Sequence, residues 1–299
     1  MDNESFRSGF VTIIGRPNVG KSTLLNKLVG EKVAIMSSKP QTTRRAIKAI
    51  LNKPGCQIIF IDTPGVHRPR HKLGKMMLRA VEAALGGVDV VLLMVEAYNK
   101  GVDEEDRRVI ARLKESNVPA ILVVNKIDAV AKEKILKVID VYKGEYEFAT
   151  VIPISALKGD GLEIIVDEIR KLLPEGPQYF PEEMITDQTE RQMASEIIRE
   201  KALQLLKHEV PHGIAVEITQ MKQREDKEIT DIDAVIYCDK ESHKGIIIGN
   251  KGGMLKEIGT RSRENLEEFL RTKIFLQLWV KVKEDWKNDD RMLKNLENQ

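Results

Sequence analysis

The chain of 299 residues is poor in cysteine, aromatic residues and net charge, and each shortage narrows the function classes open to it. Its two cysteines, Cys56 and Cys238, lie far apart, each inside an apolar strand-like run. Buried reduced thiols are therefore expected, rather than a disulfide framework or a cysteine-bound metal, and a cytosolic protein fits. The longest apolar run, from Val88 to Val95, is broken by Asp89 and is too short to span a bilayer. The polar N-terminus lacks the apolar stretch of a signal peptide, so neither a leader nor a transmembrane helix is expected. With 48 Lys and Arg against 46 Asp and Glu, the formal net charge of +2 excludes a generally basic nucleic-acid coat. The exception is local: residues 240–283 hold 10 basic and 5 acidic side chains, so any anion-binding face is expected there.

What is present points to two domains, which the length permits. Up to about residue 172, apolar strand runs alternate with amphipathic helical stretches. The runs are Phe10 to Ile14, Ile58 to Ile61, Val90 to Val95, Ala120 to Val124 and Val151 to Ile154. This pattern predicts an α/β domain over 1–173, a mostly parallel sheet with helices on both faces, whose ligands bind beyond the carboxyl ends of the strands. Residues 174–189 open with Pro174, Gly176, Pro177 and Pro181 and read as a linker. Residues 190–299 read as helix, two strands, a helix-loop-helix around Gly249 and a last strand, an α+β domain with a C-terminal tail.

Directly after the first run stands Gly15-Arg16-Pro17-Asn18-Val19-Gly20-Lys21-Ser22-Thr23, a complete G-x-x-x-x-G-K-S phosphate loop opening a helical segment. Its backbone N–H groups and helix dipole suit phosphate oxygens, Lys21 neutralises β/γ charge, and the Ser22 hydroxyl suits magnesium. Asp62-Thr63-Pro64-Gly65 follows the strand ending at Ile61, which places Asp62 for the magnesium shell and the Gly65 N–H for a γ-phosphate. Asn125-Lys126-Ile127-Asp128 follows the strand Ala120 to Val124, and an Asp128 carboxylate accepts from guanine N1–H and the 2-amino group, a donor pair adenine lacks. GTP and GDP are therefore expected, although the same stretch also suits a helix N-cap. Ser155-Ala156-Leu157 follows the strand Val151 to Ile154, where its backbone can close over guanine O6. These four elements, in this order, are the GTPase signature. Between Ser37 and Arg45 no apolar periodicity appears, so this is the expected first switch, with Thr43 as the hydroxyl completing the magnesium shell and Thr42 as the alternative. No glutamine follows the D-T-P-G element; Val66 stands there, so slow intrinsic hydrolysis is expected. Asn18 is either a catalytic aid or a turn former. His67 lies within a basic run that reads as a solvated switch, with a base role as the alternative.

In the second domain, Ile248-Gly249-Asn250-Lys251-Gly252-Gly253 carries a G-x-x-G loop between apolar helical turns, after two strands and before a third. The order helix, strand, strand, helix, helix, strand resembles the type II K-homology (KH) domain, which grips single-stranded RNA. The glycines permit close approach of a sugar-phosphate backbone. Lys244, Lys251 and Lys256, with Arg261 and Arg263, can line one electropositive face, with Lys281 and Lys283 beyond it. Ile246, Ile247 and Ile258 are read as a groove floor for bases. Trp286 either stacks on a base or anchors the terminal helix.

A GTPase domain followed by a type II KH domain resembles the Era family, and the matching stretches cover nearly the whole chain: Gly15–Thr23, Gln41–Arg44, Asp62–His67, Asn125–Asp128, Ser155–Leu157, Asp187–Glu200, and Ile246–Ile258 with Asp285 and Trp286. The resemblance implies a bacterial GTPase that binds the 3′ end of small-subunit ribosomal RNA and acts in assembly of the small ribosomal subunit. It implies magnesium with GTP and a cytoplasmic protein with peripheral contact at the inner membrane; a monomer is expected. Related TrmE-like GTPases use an asparagine at the Asn18 position to help bind potassium, which implies K+ here too. The readings that compete with it are a regulatory GTPase whose KH-like domain binds a protein, and a tRNA-modification GTPase; lack of a further catalytic domain counts against the latter.

Overall fold

The computed structural model describes residues 5–37, 39, 42–65, 71–99, 101–225, 228–297 and 299. The chain divides into two compact units. The first comprises Met1–Ala34, Thr43–Arg68 and Met76–Asp187, and the second Ile35–Thr42, Pro69–Lys75 and Gln188–Gln299.

In the first unit the elements run β1 (Arg7–Ile14), α1 (Lys21–Val29), β2 (Ile47–Lys53), β3 (Cys56–Asp62), α2 (Lys72–Ala83, its first turn in the second unit), β4 (Val90–Glu96), α3 (Glu104–Ser116), β5 (Ala120–Asn125), α4 (Lys132–Lys143), β6 (Thr150–Pro153) and α5 (Leu162–Leu172). The sheet order is β2-β3-β1-β4-β5-β6. All neighbours are parallel except β2 and β3, an antiparallel pair joined at Pro54-Gly55. One apolar cluster holds Val11, Ile13, Leu24, Phe60, Leu92 and Ile169; another, on the opposite face, holds Ile14, Leu93, Leu113, Leu122 and Tyr142. Burial on both faces explains the uninterrupted apolar strands. β2 escaped the sequence reading because a polar residue interrupts its apolar positions at Lys48 and its pairing is local to a hairpin.

Residues 174–187 run along the edge of this unit. Ile50 N–H donates to the Ile185 carbonyl at 2.9 Å, Gln57 Oε1 accepts the Tyr179 and Phe180 N–H groups at 2.8 and 3.0 Å, and Asn52 donates to the Glu182 carbonyl at 2.8 Å. The prolines suit this course, since an edge segment tolerates missing N–H donors.

In the second unit follow α6 (Glu190–Leu205), β7 (Ala215–Gln223), β8 (Ile229–Cys238), α7 (Glu241–Ile248), α8 (Gly253–Leu270), β9 (Lys273–Val282) and α9 (Asp290–Glu297). A capping box starts α6: Thr189 Oγ1 accepts the Gln192 N–H and Gln192 Oε1 accepts the Thr189 N–H, each at 3.1 Å. The sheet order is β7-β8-β9, with β9 parallel to β8 at an edge. Ile197, Leu203, Ile232, Ile236, Ile247, Ile258 and Leu266 form its core. The segment Ile35–Thr42 is held in this unit: Glu200 accepts the Met36 N–H at 2.8 Å, and the buried Arg199, paired with Glu196, donates to the Thr42 carbonyl. Both cysteines are buried and free. No helix among the described residues is long and apolar enough to cross a membrane.

Candidate functional site

The phosphate loop bridges β1 and α1, and two of its residues, Asn18 (φ 66°) and Gly20 (φ 108°), take left-handed backbone conformations. Gly20 is required twice over, because a Cβ there would stand 2.3 Å from Asn125 Nδ2. Asn125 stitches three motifs together. Its Nδ2 donates to the Val19 carbonyl at 2.7 Å and its Oδ1 accepts the Ala156 N–H at 2.9 Å. Thr63 Oγ1 ties the D-T-P-G element to β1 through the Ile13 carbonyl at 2.9 Å.

Ser22, Thr43 and Asp62, from three different elements, converge. Ser22 Oγ donates to Asp62 Oδ2 at 2.8 Å and lies 3.1 Å from Thr43 Oγ1, and Thr43 Oγ1 is 3.4 Å from Asp62 Oδ2. Thr42, the alternative, turns its hydroxyl to the Lys39 carbonyl at 2.6 Å. The buried Asp62 Oδ1 has no hydrogen-bond partner among the described residues. An all-oxygen donor set with an orphaned buried carboxylate oxygen fits a hard divalent cation such as Mg2+. Burial raises the Asp62 pKa, against the lowering influence of Lys21, Ser22, Thr43 and the Thr63 N–H.

Lys21 is buried and donates to the Gly15 and Arg16 carbonyls at 2.9 and 3.0 Å. Desolvation brings its pKa down to about 8, with Asp62 and Asp106 acting the other way. Bound phosphates favour the charged amine and raise that value. Nucleotide binding therefore takes up a proton above pH 8, and raising the pH from 7 to 9 should weaken GTP affinity about tenfold. Titration calorimetry in two buffers of different ionisation enthalpy checks this; affinity flat over that range would contradict the role of the amine.

At the base end, Ser155 Oγ donates to Asp128 Oδ1 at 2.6 Å, and this bond holds the exposed carboxyl below its usual range. Leu157 is largely exposed beside it. Lys126 is tethered to Glu96, and to Tyr98 Oη at 3.1 Å; burial lowers its pKa, but these partners outweigh burial and leave it raised. The sequence motifs gave no sign of Glu96 or Tyr98, although Glu96 ends a central parallel strand, where ligand sites gather. Gln41, Val66 and His67 lie outside the described residues.

In the second unit, Gly249 to Gly252 connects α7 to α8, with Asn250 and Lys251 exposed and Ile248 half-buried. A cleft of ≈ 410 Å³ adjoins it, lined by Gly252, Leu255, Lys256, Gly259, Thr260, Arg263, Leu276 and Leu278. Its apolar floor comes from α8 and β9. The expectation for Ile247 and Ile258 is corrected: both are fully buried in the core, because helical periodicity turns them inward, whereas Ile246 is exposed. The stacking reading of Trp286 is also corrected. Its ring is wholly buried and its Nε1 donates to the Gly213 carbonyl at 2.9 Å, so it anchors the chain end. Lys244 lies 3.8 Å from Glu241, Arg261 pairs with Glu257 and Arg263 with Glu267, while Gly253 and Lys256 are exposed. Sequence counting could not reveal that these pairs mute part of the basic face.

Comparison with known proteins bears on both sites. The family model described as 50S ribosome-binding GTPase matches residues 10–126 and that of the KH domain matches residues 209–287. GTPase Era of Ruminiclostridium cellulolyticum is 53% identical over 98% of this chain and 97% of its own, and GTPase Era of Clostridioides difficile 52% identical over 97% and 98%. A crystal structure of Era in complex with MgGDPNP and nucleotides 1506–1542 of 16S ribosomal RNA superimposes with a TM-score of 0.94 at 43% identity, covering 97% of this chain and 98% of that one. A point variant of Aquifex aeolicus Era bound to GDP.AlF4- does so with a TM-score of 0.93 at 42% identity, over 97% and 99%.

Proposed function

Because this chain belongs to the Era family of GTPases, we propose that it binds and hydrolyses GTP with magnesium, grips the 3′ end of small-subunit ribosomal RNA through its KH unit, and acts in assembly of that subunit. The observation that carries the reading is the near-complete superposition on an Era chain that holds both MgGDPNP and a 16S RNA segment.

Lys21 would meet the β- and γ-phosphates with its positive charge, and Ser22, Thr43 and Asp62 would hold the cation. When bound, that cation neutralises charge developing on the phosphate oxygens. Asn18 is our candidate for a potassium site, a substitute for the absent glutamine. Asp128 and Ser155 select guanine. In the KH unit, the G-x-x-G loop takes the sugar-phosphate backbone, Leu255, Leu276 and Leu278 meet the bases, and Lys256 supplies charge.

The units are joined at an informative bond. Thr42, whose carbonyl Arg199 holds in the second unit, precedes Thr43, which completes the cation site in the first. Ordering of Thr43 by a γ-phosphate is thereby passed along the main chain to the unit that binds RNA, and by linkage RNA favours the GTP state to the same degree. A strand matching the rRNA 3′ end should bind the full chain tighter with non-hydrolysable GTP analogue than with GDP, by about 5-fold or more. Arg199→Ala should shrink that ratio. Equal affinity in both states would refute the coupling, and equal affinity for a scrambled strand would favour a protein partner for the KH unit.

A further inference from the structure

Arg16 of the phosphate loop belongs to a polar cluster whose other members lie outside the sequence motifs. The Arg16 guanidinium lies among three acids and an asparagine. Nη1 pairs with Asp103, Nη2 donates to Asn99 Oδ1 at 2.5 Å and lies 3.8 Å from Glu96, and Nε lies 3.8 Å from Asp106 Oδ2. Asp106, in the first turn of α3, is the deepest of these, at 1% exposure. The fully buried Tyr142 of α4 donates to its Oδ2 at 2.6 Å, and Asn99 donates to the Tyr142 hydroxyl at 3.1 Å. The end of β4, the start of α3 and the segment between them thus meet one arginine, and α4 reaches it through Asp106.

We propose that Asp106 is a positioning residue for GTP hydrolysis, its charge drawing the Arg16 guanidinium inward so that the Arg16 carbonyl, and with it the Lys21 amine, is kept in place for the phosphates. The linkage is short. The Arg16 backbone accepts Lys21 Nζ at 3.0 Å, so a shift of the Arg16 main chain is felt by the amine that would meet the β- and γ-phosphates. A carboxylate buried as deeply as Asp106 is costly unless paired. Burial raises its pKa, and the Tyr142 hydroxyl and Arg16 act to keep it ionised. An acid buried this deeply and shared between Tyr142 and Arg16 fits preorganisation of the loop better than surface pairing. Glu96 extends the device: it contacts both Arg16 and Lys126, so the loop that reads the base and the loop that holds the phosphates share one carboxylate.

Steady-state GTP turnover of the full chain tests this, with wild type, Asp106→Asn, Arg16→Ala and their double variant in one assay. The amide of Asp106→Asn keeps the volume and an acceptor for Tyr142 but loses the charge. Its kcat should fall about tenfold while KM moves less than about threefold, the split expected when transition-state positioning is lost. Because Asp106 acts through Arg16, the double variant should be no slower than Arg16→Ala alone. If Asp106→Asn does not fold, Tyr142→Phe, which removes the hydroxyl and spares the charge, should lower kcat about threefold. Wild-type turnover in Asp106→Asn, or in Tyr142→Phe where that variant takes its place, would overturn the proposal, as would penalties that multiply in the double variant.

Discussion

Asp128→Asn should cost about 10⁴-fold in GTP affinity and confer binding of xanthosine triphosphate. The carboxylate accepts two donors from guanine, and the amide that replaces it offers an acceptor and a donor. Xanthine presents N1–H beside a C2 carbonyl, the complementary pair, whereas guanine presents two donors, one of which would face the amide N–H. The local structure sharpens the expectation. Ser155, itself fully buried, donates to Asp128 Oδ1 at 2.6 Å and sets the plane in which the base is read. Ser155 Oγ also accepts the Lys158 N–H at 3.2 Å, so its hydroxyl proton is committed toward Asp128. The side chain cannot rotate to rescue the lost contact without breaking that bond. Competition of fluorescent GDP and XDP for the wild type and the variant measures the switch directly. Undiminished guanine binding by the variant would mean that Asp128 does not read the base.

The second large effect separates two glycines of one motif. Gly252→Asp should fold with a strain of about 1 kcal/mol and lose about a hundredfold in affinity for single-stranded RNA. At Gly252 (φ 78°, ψ 7°) a Cβ would meet nothing within 4 Å, and aspartate tolerates the left-handed region better than most residues. The open space is what a phosphate needs, and a carboxylate there repels it. Gly249 differs. Its φ of 73° with ψ of 178° suits glycine alone, and a Cβ would lie 2.7 Å from Met254 Cβ and 2.8 Å from Met254 N. Gly249→Ala should therefore destabilise the KH unit by about 3 kcal/mol, and its binding defect would follow from lost structure. Thermal melting beside RNA titration distinguishes them: a much larger fall in melting temperature for Gly249→Ala than for Gly252→Asp, with weak binding in both. RNA affinity retained by Gly252→Asp would place the RNA site elsewhere.

Much of this molecule was legible in sequence because its recognition elements are contiguous. A phosphate loop is a local backbone shape, and Gly15 to Thr23 carry it wherever the strand before and the helix after them form. The same holds for Asp62 to Gly65, Asn125 to Asp128 and Gly249 to Gly252. The alternation of buried strands with amphipathic helices dictated a mostly parallel sheet, and the motifs fell at strand ends for that reason. In sequence Thr43 and its alternative Thr42 offer the same hydroxyl, and nothing local separates them. The geometry puts Thr43, and not Thr42, beside Ser22 and Asp62.

What stayed hidden depends on residues distant in the chain. Leu276 and Leu278 alternate along β9 with the exposed Phe275 and Trp279, and nothing local says which face meets α8 to make the cleft. Trp286 follows a strand end as an exposed residue would, yet it is buried, because the Gly213 carbonyl waits for its N–H 73 positions earlier in the chain. The strand β2 is specified by pairing with β3 more than by its own pattern. Asp106 looks like one of three acids in a helix first turn, and only the arrival of Arg16 and Tyr142 distinguishes it. The assignment of Ile35–Thr42 to the second unit rests likewise on Arg199 and Glu200, more than 150 positions away. By itself, then, the sequence determined the nucleotide chemistry, the guanine preference and the two fold types, because those follow from short-range backbone geometry and hydrophobic period. The tertiary structure alone decided which side chains back the phosphate loop, which apolar residues floor the cleft and which unit holds the first switch, because long-range packing brings those groups together and no local period encodes it.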